Sequence, residues 1–462
     1  MLTLHLADIA KWTGGRLRGA DATVAALSID TRTLGADMLF VALKGEHHDA
    51  HEFAGQARER GAVAVLVNRE LPLDLPQVIV ADTLLALGEI ARAVRSRSHA
   101  CVIGITGSNG KTTVKTLLAA ILARHGRTHV NAGNFNNEIG LPLTLLAMPE
   151  DTAYAVLEMG AAKPGDIAYL ARIAQPGVAL VNNVAAAHLE RMGNLQGVAE
   201  TKGAIYRALP ADGIAVVNAD DAFADYFTVL AGARRTLRFG LLRSADISAD
   251  ISANTDPEAN LESHFRLLTP IGSCEVALSF PGRHNVMNAL AASAVACAIG
   301  VPLATIRVGL EAARAVGGRL LRNKHASTAV VIDDSYNANP GSFAVAIATL
   351  AAEPGERVLV MGDMAELGTD AERLHADIGA LAKRSGIRRL RAVGPLSRAA
   401  VDAFGGGAEH YADQSKLIEA LRDELRSGVV LLVKGSRSSA MERVVGALLG
   451  CDSNHGGERH VA

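Results

Sequence analysis

Cysteine is scarce and scattered: the four in 462 residues, Cys101, Cys274, Cys297 and Cys451, include no C-x-x-C pair. That excludes a disulfide framework and a zinc site of paired cysteines, and it fits a reducing compartment, so a cytoplasmic protein is expected. Neither sign of charge is in excess, with 46 Lys and Arg against 48 Asp and Glu, and nothing draws the chain to nucleic acid or an anionic membrane. Basic pairs at Lys383-Arg384 and Arg388-Arg389 fall where a helix gives way to a strand and read as solvated surface. Long apolar runs are also missing. The stretch Ala289–Ala304 is rich in alanine, is broken by Gly300 and Pro302, and reads as a buried helix, so no membrane span is expected. The opening MLTLHLADIAKW puts Asp8 and Lys11 where a signal peptide needs its apolar core, which speaks against a leader.

What is present is a chain with 49% hydrophobic and 20% charged residues, the balance of a globular protein too long for one core. Beyond residue 98, short apolar runs alternate with helical stretches. Ala100–Thr106, Tyr154–Glu158, Val178–Asn182 and Ile214–Asn218 read as buried strands of a parallel sheet with crossover helices, one of them Lys111–His125. Alternating segments between Asp246 and Phe280, Ser263–Leu268 and Cys274–Leu278 among them, suggest a small antiparallel insertion. Two alanine-rich helices follow, at His284–Ile299 and Leu303–Ala315, and then Gly317-Gly318, a hinge candidate. A second series (Ala329–Asp333, Arg357–Met361, Leu390–Val393, Val429–Val433) predicts a Rossmann-like sheet. The first 98 residues form a smaller α/β unit with strands at Met38–Leu43, Ala62–Val67 and Gln77–Val80, and the tail after Gly450 reads as mobile. The expected fold class is therefore α/β, with domains at 1–98, 99–316 and 317–462.

The stretch Gly104-Ile-Thr-Gly107-Ser108-Asn109-Gly110-Lys111-Thr112-Thr113 follows a strand and opens a helix. In that setting glycines let successive N–H groups turn to a phosphate, and the helix N-terminus adds its positive end. Lys111 is placed for the β- and γ-phosphates of ATP and Thr112 for Mg²⁺. The strict phosphate-loop pattern would need glycine at Ile105; here the glycines are Gly104 and Gly107.

That shifted spacing resembles the loop of the Mur ligase family, and further stretches extend the resemblance along the chain. They are Ser28-Ile-Asp30-Thr-Arg32, Phe40–Gly45 with Lys44, Asp49-Ala50-His51, Asn134-Phe-Asn136-Asn137-Glu138-Ile-Gly140, Glu158-Met-Gly160, Ala187-His188, Gly282-Arg-His284-Asn285-Val-Met-Asn288, Asp333–Pro340, Gly362–Gly368 and Val433–Arg437. The stretch from Asn134 is the mark of the branch that adds D-alanyl-D-alanine. Two departures stand out: the family usually has glycine at Ala50, and often Gly-Phe-Gly where this chain has Arg191-Met192-Gly193.

The resemblance implies an ATP-dependent ligase that turns a carboxylate of a UDP-N-acetylmuramoyl-tripeptide into an acyl phosphate, which the amine of D-alanyl-D-alanine then attacks. It implies that Ser28, Asp30, Arg32 and Lys44 hold the UDP-sugar, and that Asn134, Asn136, Asn137 and Glu138 also meet that substrate. Glu158, at the carboxyl end of its strand, suits Mg²⁺ as a hard oxygen ligand. By composition His188 and Lys202 are ordinary residues, a lone histidine and an exposed helical lysine. The resemblance makes His188 a second Mg²⁺ ligand and Lys202 a lysine carbamylated to hold metal. It places Asn288 at adenine, Arg319 at the phosphates and Asp334 at ribose. Tyr336, Asn337, Lys434, Ser436 and Arg437 then face nucleotide or dipeptide, while Asp363 and Glu366 read equally well as solvated loop residues and are not counted in the site. A monomer is expected. A sibling ligase adding one amino acid typically carries a D-N-P-R motif in its last domain, and none occurs here; folylpolyglutamate synthetase would lack the N-terminal domain. A nucleotide-gated regulator without turnover would be expected to have lost some of Glu158, His188 and Lys202.

Overall fold

The computed structural model describes residues 3–45, 48–186, 188–251 and 262–450. The tail beyond Gly450 with Cys451, part of the antiparallel insertion, and Ala187 of the Ala187-His188 pair lie outside the described residues. The fold is α/β throughout, built on three large sheets.

The central sheet has six parallel strands in the spatial order Arg235–Phe239, Ile214–Asn218, Val178–Val181, Cys101–Thr106, Tyr154–Glu158 and Thr128–Val130. Its interior strands are continuously apolar because helices cover both faces. Cys101–Thr106 is buried from Val102 onward and packs Ile103 and Ile105 against Val114, Leu117 and Leu118 of the helix Lys111–Leu122. The chain runs from Cys101–Thr106 out to one edge and later crosses to the other side. The gap above this strand's carboxyl end is therefore a topological switch point, where open sheets bind ligands. The alanine-rich helix Arg283–Ala298 packs closely on Lys111–Leu122, its small side chains admitting a near approach. It is the buried helix expected, and no helix among the described residues is long and apolar enough to cross a membrane. The antiparallel strands Ser248–Asp250, Ser263–Thr269 and Gly272–Leu278 add Phe265, Leu267, Val276 and Leu278 to the same core.

The last sheet runs Leu321–Lys324, Val330–Asp334, Val429–Lys434, Glu356–Gly362, Arg389–Val393 and Ala408–Tyr411, parallel except for the first. Register pairs Asp334 with Lys434 at the carboxyl edge. The first sheet runs Arg16–Arg18, Gln77–Ile79, Ala64–Val67, Met38–Val41 and Ala26–Ser28. The hinge candidate is only half free. Gly318, at φ 74°, gives its N–H to Asp333 Oδ2 at 3.0 Å and takes that of Tyr336 at 3.2 Å, so it belongs to the last sheet. The irregular stretch is 313–317.

Candidate active site

A cavity of about 690 Å³ lies between the carboxyl edges of the central and last sheets, and it gathers most of the residues singled out from sequence. On its floor the phosphate loop turns through Gly107 at φ 152° and Gly110 at φ 78°. A Cβ at Gly110 would stand 2.4 Å from Asn288 Oδ1 and 2.5 Å from Asn182 Nδ2, so glycine is required on both counts. The helix then starts at Lys111 with no side-chain cap, which leaves its first N–H groups for a ligand. Asn109 N–H donates to Asn183 Oδ1 at 2.8 Å, and the Asn109 carbonyl accepts from Asn182 and Asn183 at 3.0 and 3.1 Å. Ser108, Asn109, Gly110, Lys111 and Thr113 line the cavity; Gly107 and Thr112 stand just behind it. Lys111 is half-buried, and its ammonium folds back onto the Gly107 carbonyl at 2.7 Å. Burial pulls its pKa down against the pull of Glu158 upward.

Glu158 is 3% exposed and fully engaged. Thr112 Oγ1 donates to its Oε2 at 2.9 Å and Asn136 Nδ2 to its Oε1 at 2.8 Å, while Lys115 Nζ stands 3.6 Å away. Asn131 clamps the Glu158 backbone at both its N–H and its carbonyl. Burial alone would raise this carboxyl, but Lys111, Lys115 and Arg319 outweigh it and hold the group below its ordinary value. The site therefore presents an anion beside a hydroxyl at the phosphate loop.

His188 lines the same cavity in a left-handed conformation, φ 54°, and its Nδ1 pairs with Glu366. Glu366 is an exposed loop residue outside the cavity lining that reaches the site through this contact; the His188 hydrogen bond lowers its pKa. Asp363 is committed too, its carboxylate capping the Leu396 and Ser397 N–H groups and its carbonyl accepting from Ser436. Lys202 departs furthest from its expected exposure. It is 1% exposed in the helix Leu195–Arg207, and its ammonium makes no hydrogen bond or ion pair among the described residues. Desolvation, with Lys111 nearby, draws its pKa well below the ordinary lysine value.

Above the loop, Asn288 Oδ1 accepts from Asn182 Nδ2 at 3.0 Å, and Asn288 Nδ2 donates to Asn285 Oδ1 at 3.2 Å. His284 lies alongside, its imidazole pushed down to about 4 by burial and so neutral. From the last sheet, Lys434 Nζ donates to Asp334 Oδ2 at 2.6 Å and to the Asn337 carbonyl at 2.9 Å. Burial raises the Asp334 carboxyl, an effect that Lys434 opposes. The Arg319 guanidinium stacks 4.3 Å above the Tyr336 ring, with Arg437 at 5.8 Å. All of these line the cavity, whereas Ser436 is buried behind it among Ser438 and Ser439.

Asn134, Asn136, Asn137 and Glu138 line the wall toward the first sheet. Ser28, Asp30, Arg32 and Lys44 lie outside the cavity. There Arg32 Nε holds the Asp30 carboxylate at 2.8 Å, Ser28 Oγ accepts the Asp30 N–H at 3.0 Å, and Lys44 pairs with Asp49 through backbone. Ala50 begins a short 3₁₀ turn with no positive φ, so alanine fits where the family has glycine. Arg191 and Met192 sit in a short helix, Leu189–Met192, with Met192 buried. Sequence reasoning missed Lys115, Asn131, Asn182 and Asn183. Lys115 had a signal, four residues beyond Lys111 on the same helix face; Asn182 and Asn183 had theirs, following a strand next to the loop strand.

Family models match along the chain: the Mur ligase family catalytic domain at residues 23–109, the Mur ligase middle domain at 105–296, and the Mur ligase glutamate ligase domain at 318–437. The UDP-N-acetylmuramoyl-tripeptide--D-alanyl-D-alanine ligase of Escherichia coli K12 is 47% identical over 450 residues, covering 97% of this chain and 99% of its own. Among solved structures, MurF from Acinetobacter baumannii superposes with a TM-score of 0.92 at 34% identity, covering 97% of this chain and 99% of that one. The MurF ligase of Thermotoga maritima, solved with ADP, gives 0.81 at 28% identity, covering 92% and 97%. With one fold, one motif order and this likeness over nearly its whole length, the chain belongs to the Mur ligase family.

Proposed function

We propose that this protein joins D-alanyl-D-alanine to a UDP-N-acetylmuramoyl-tripeptide with cleavage of ATP, releasing UDP-N-acetylmuramoyl-pentapeptide, ADP and phosphate for peptidoglycan synthesis. The observation that carries the reading is the cavity in which a phosphate loop and a buried carboxylate from one sheet face Arg319, Asp334 and Lys434 from another. A carboxylate is a poor electrophile. Its oxygen therefore attacks the γ-phosphorus, ADP leaves, and the dipeptide amine then displaces phosphate from the acyl carbon.

Each residue has a part that its position supports. The loop from Gly107 to Thr113 wraps the triphosphate, with Lys111 turning from the Gly107 carbonyl to the β- and γ-oxygens. Arg319 adds charge from the opposite wall, Asn288 meets adenine, and Asp334 accepts from the ribose. Thr112 and Glu158, hard oxygen donors 2.9 Å apart at the loop, fit Mg²⁺, which typically takes one or two carboxylates together with substrate phosphates. When bound, that ion would neutralise charge on the transferring phosphoryl. His188, oriented by Glu366, lines the same cavity, and Lys202, buried outside that lining, would join the metal-holding set as its carbamate. Burial, with the Lys111 charge nearby, lowers the Lys202 pKa, the direction that favours the neutral amine needed to react with CO₂.

Asn134, Asn136, Asn137 and Glu138 lead the tripeptide in from the first domain, where Ser28, Asp30, Arg32 and Lys44 take the UDP-sugar. Tyr336, Asn337, Lys434, Ser436 and Arg437 shape the dipeptide side. We divide the chain at 98/99 and 316/317, with 313–317 as the pivot on which the last domain closes and excludes water from the acyl phosphate. The residues that line the cavity come from one chain, which supports a monomer, and dependence on ATP and a UDP-linked substrate supports a cytoplasmic enzyme. Phosphate release with purified UDP-muramoyl tripeptides tests the reading. Turnover should require D-alanyl-D-alanine; turnover with free diaminopimelate or lysine in its place overturns it.

A further inference from the structure

The helix that opens at Lys111 carries a second lysine one turn on, which the reaction outlined above does not use. Lys115 is 6% exposed. Its ammonium donates to the Asn131 carbonyl at 3.0 Å and the Gly133 carbonyl at 3.2 Å, and it stands 3.6 Å from Glu158 Oε2. The two carbonyls tether it, so it cannot swing aside when another cation approaches the same carboxylate.

We propose that Lys115 is a positioning residue that makes divalent-cation binding at Glu158 depend on bound nucleotide. The inference rests on Glu158 being a metal ligand. Glu138, Asp166 and Asp334 offset other cations of the cavity lining, but around the Glu158 carboxylate itself stand the positive charges of Lys111, Lys115 and Arg319, so without nucleotide that corner opposes a dication. A triphosphate brings about four negative charges and reverses that balance. The cation then enters with ATP, and Glu158 is kept from binding metal before there is phosphate to act on. Lys111 holds one carbonyl, that of Gly107, whereas Lys115 holds two, which makes Lys115 the more firmly tethered part of the barrier.

The test is Mn²⁺ binding, read by electron paramagnetic resonance with and without a non-hydrolysable ATP analogue. Lys115→Gln removes the charge while its shorter side-chain amide still offers a donor toward the two carbonyls. It should bind Mn²⁺ without nucleotide about tenfold tighter than wild type, or more, and the gain on adding analogue should shrink. A folded Lys115→Gln protein whose nucleotide-free affinity is unchanged overturns the proposal. Lys115→Arg retains the charge and should retain the wild-type dependence. Tight nucleotide-free binding by that variant overturns the proposal even where Lys115→Gln fails to fold. Glu158→Gln separates the two readings: if it still binds Mn²⁺ with analogue as wild type does, the assignment of Glu158 as a ligand fails. If it loses Mn²⁺ while Lys115→Gln changes nothing, only the role of Lys115 fails.

Discussion

Replacing Lys434 by methionine would leave the Asp334 carboxylate buried without its partner, and the structure fixes what that costs and when. Lys434 is 2% exposed and Asp334 9%, and their contact at 2.6 Å joins two neighbouring strands at paired register positions. Removing one member of such a pair typically costs about 3–5 kcal/mol. Asp334 keeps only the Leu320 N–H at 3.2 Å and the more distant Arg319 charge. Its folded pKa, already raised by burial, rises further in Lys434→Met. A carboxyl with a folded pKa above its unfolded value destabilises the fold at pH above the folded pKa, and that penalty fades as pH falls toward the unfolded value. The loss should therefore be largest at neutral pH and shrink to about 1–2 kcal/mol near pH 4, the remainder being lost hydrogen bonds and packing. Hydrogen exchange of the strands Val330–Asp334 and Val429–Lys434 across a urea series reports it locally. Asp334→Asn combined with Lys434→Met should recover much of the loss, because no buried charge remains. A loss independent of pH, or a double variant no better than the single, would refute the reasoning.

Gly110→Ala would place a methyl group 2.4 Å from Asn288 Oδ1 in a left-handed backbone, and it should weaken ATP-analogue binding about tenfold or more by calorimetry; unchanged affinity would count against adenine and phosphate sharing this corner. Lys111→Ala should lower turnover by on the order of 10²–10³ while circular dichroism stays unchanged, and near-normal turnover would remove the phosphate-loop assignment. Lys202→Ala should cripple turnover while leaving tripeptide binding intact, small carboxylates should restore part of the activity, and carbon NMR with labelled bicarbonate should show the adduct in wild type. An active wild-type enzyme with no carbamate signal would return Lys202 to a structural lysine.

What was legible in the sequence follows from where each strand lies. Every interior strand of the three large sheets was marked by an apolar run, from Met38–Val41 to Val429–Lys434. None of their edge strands was. Arg16–Arg18, Arg235–Phe239 and Leu321–Lys324 carry charges, because one side of an edge strand meets solvent and needs no continuous apolar face. The loop from Gly107 to Thr113 was legible because its glycines and lysine must follow one another. Glu158 was legible from its place at a strand end. The Glu366 partnership with His188 was not, since it joins residues 178 apart across two domains and leaves no spacing to read. Burial of Lys202 was hidden for a related reason: its helix packs against neighbours that the local sequence does not name.

The cavity proposed for the nucleotide has walls from two separately built sheets, joined directly among the described residues by groups such as Asn339 Nδ2 to Asn109 Oδ1 at 2.8 Å. A molecule bound there is held only while both walls are folded, so its binding energy is added to the survival of each. Without it, only direct contacts such as that of Asn339 with Asn109 couple the melting of the two bodies. With it, the loss of one releases the ligand and withdraws support from the other. ATP should thus change the shape of the melting curve as well as its midpoint, drawing two steps into one. The substrate of the reaction would then serve as a structural member of the protein that consumes it.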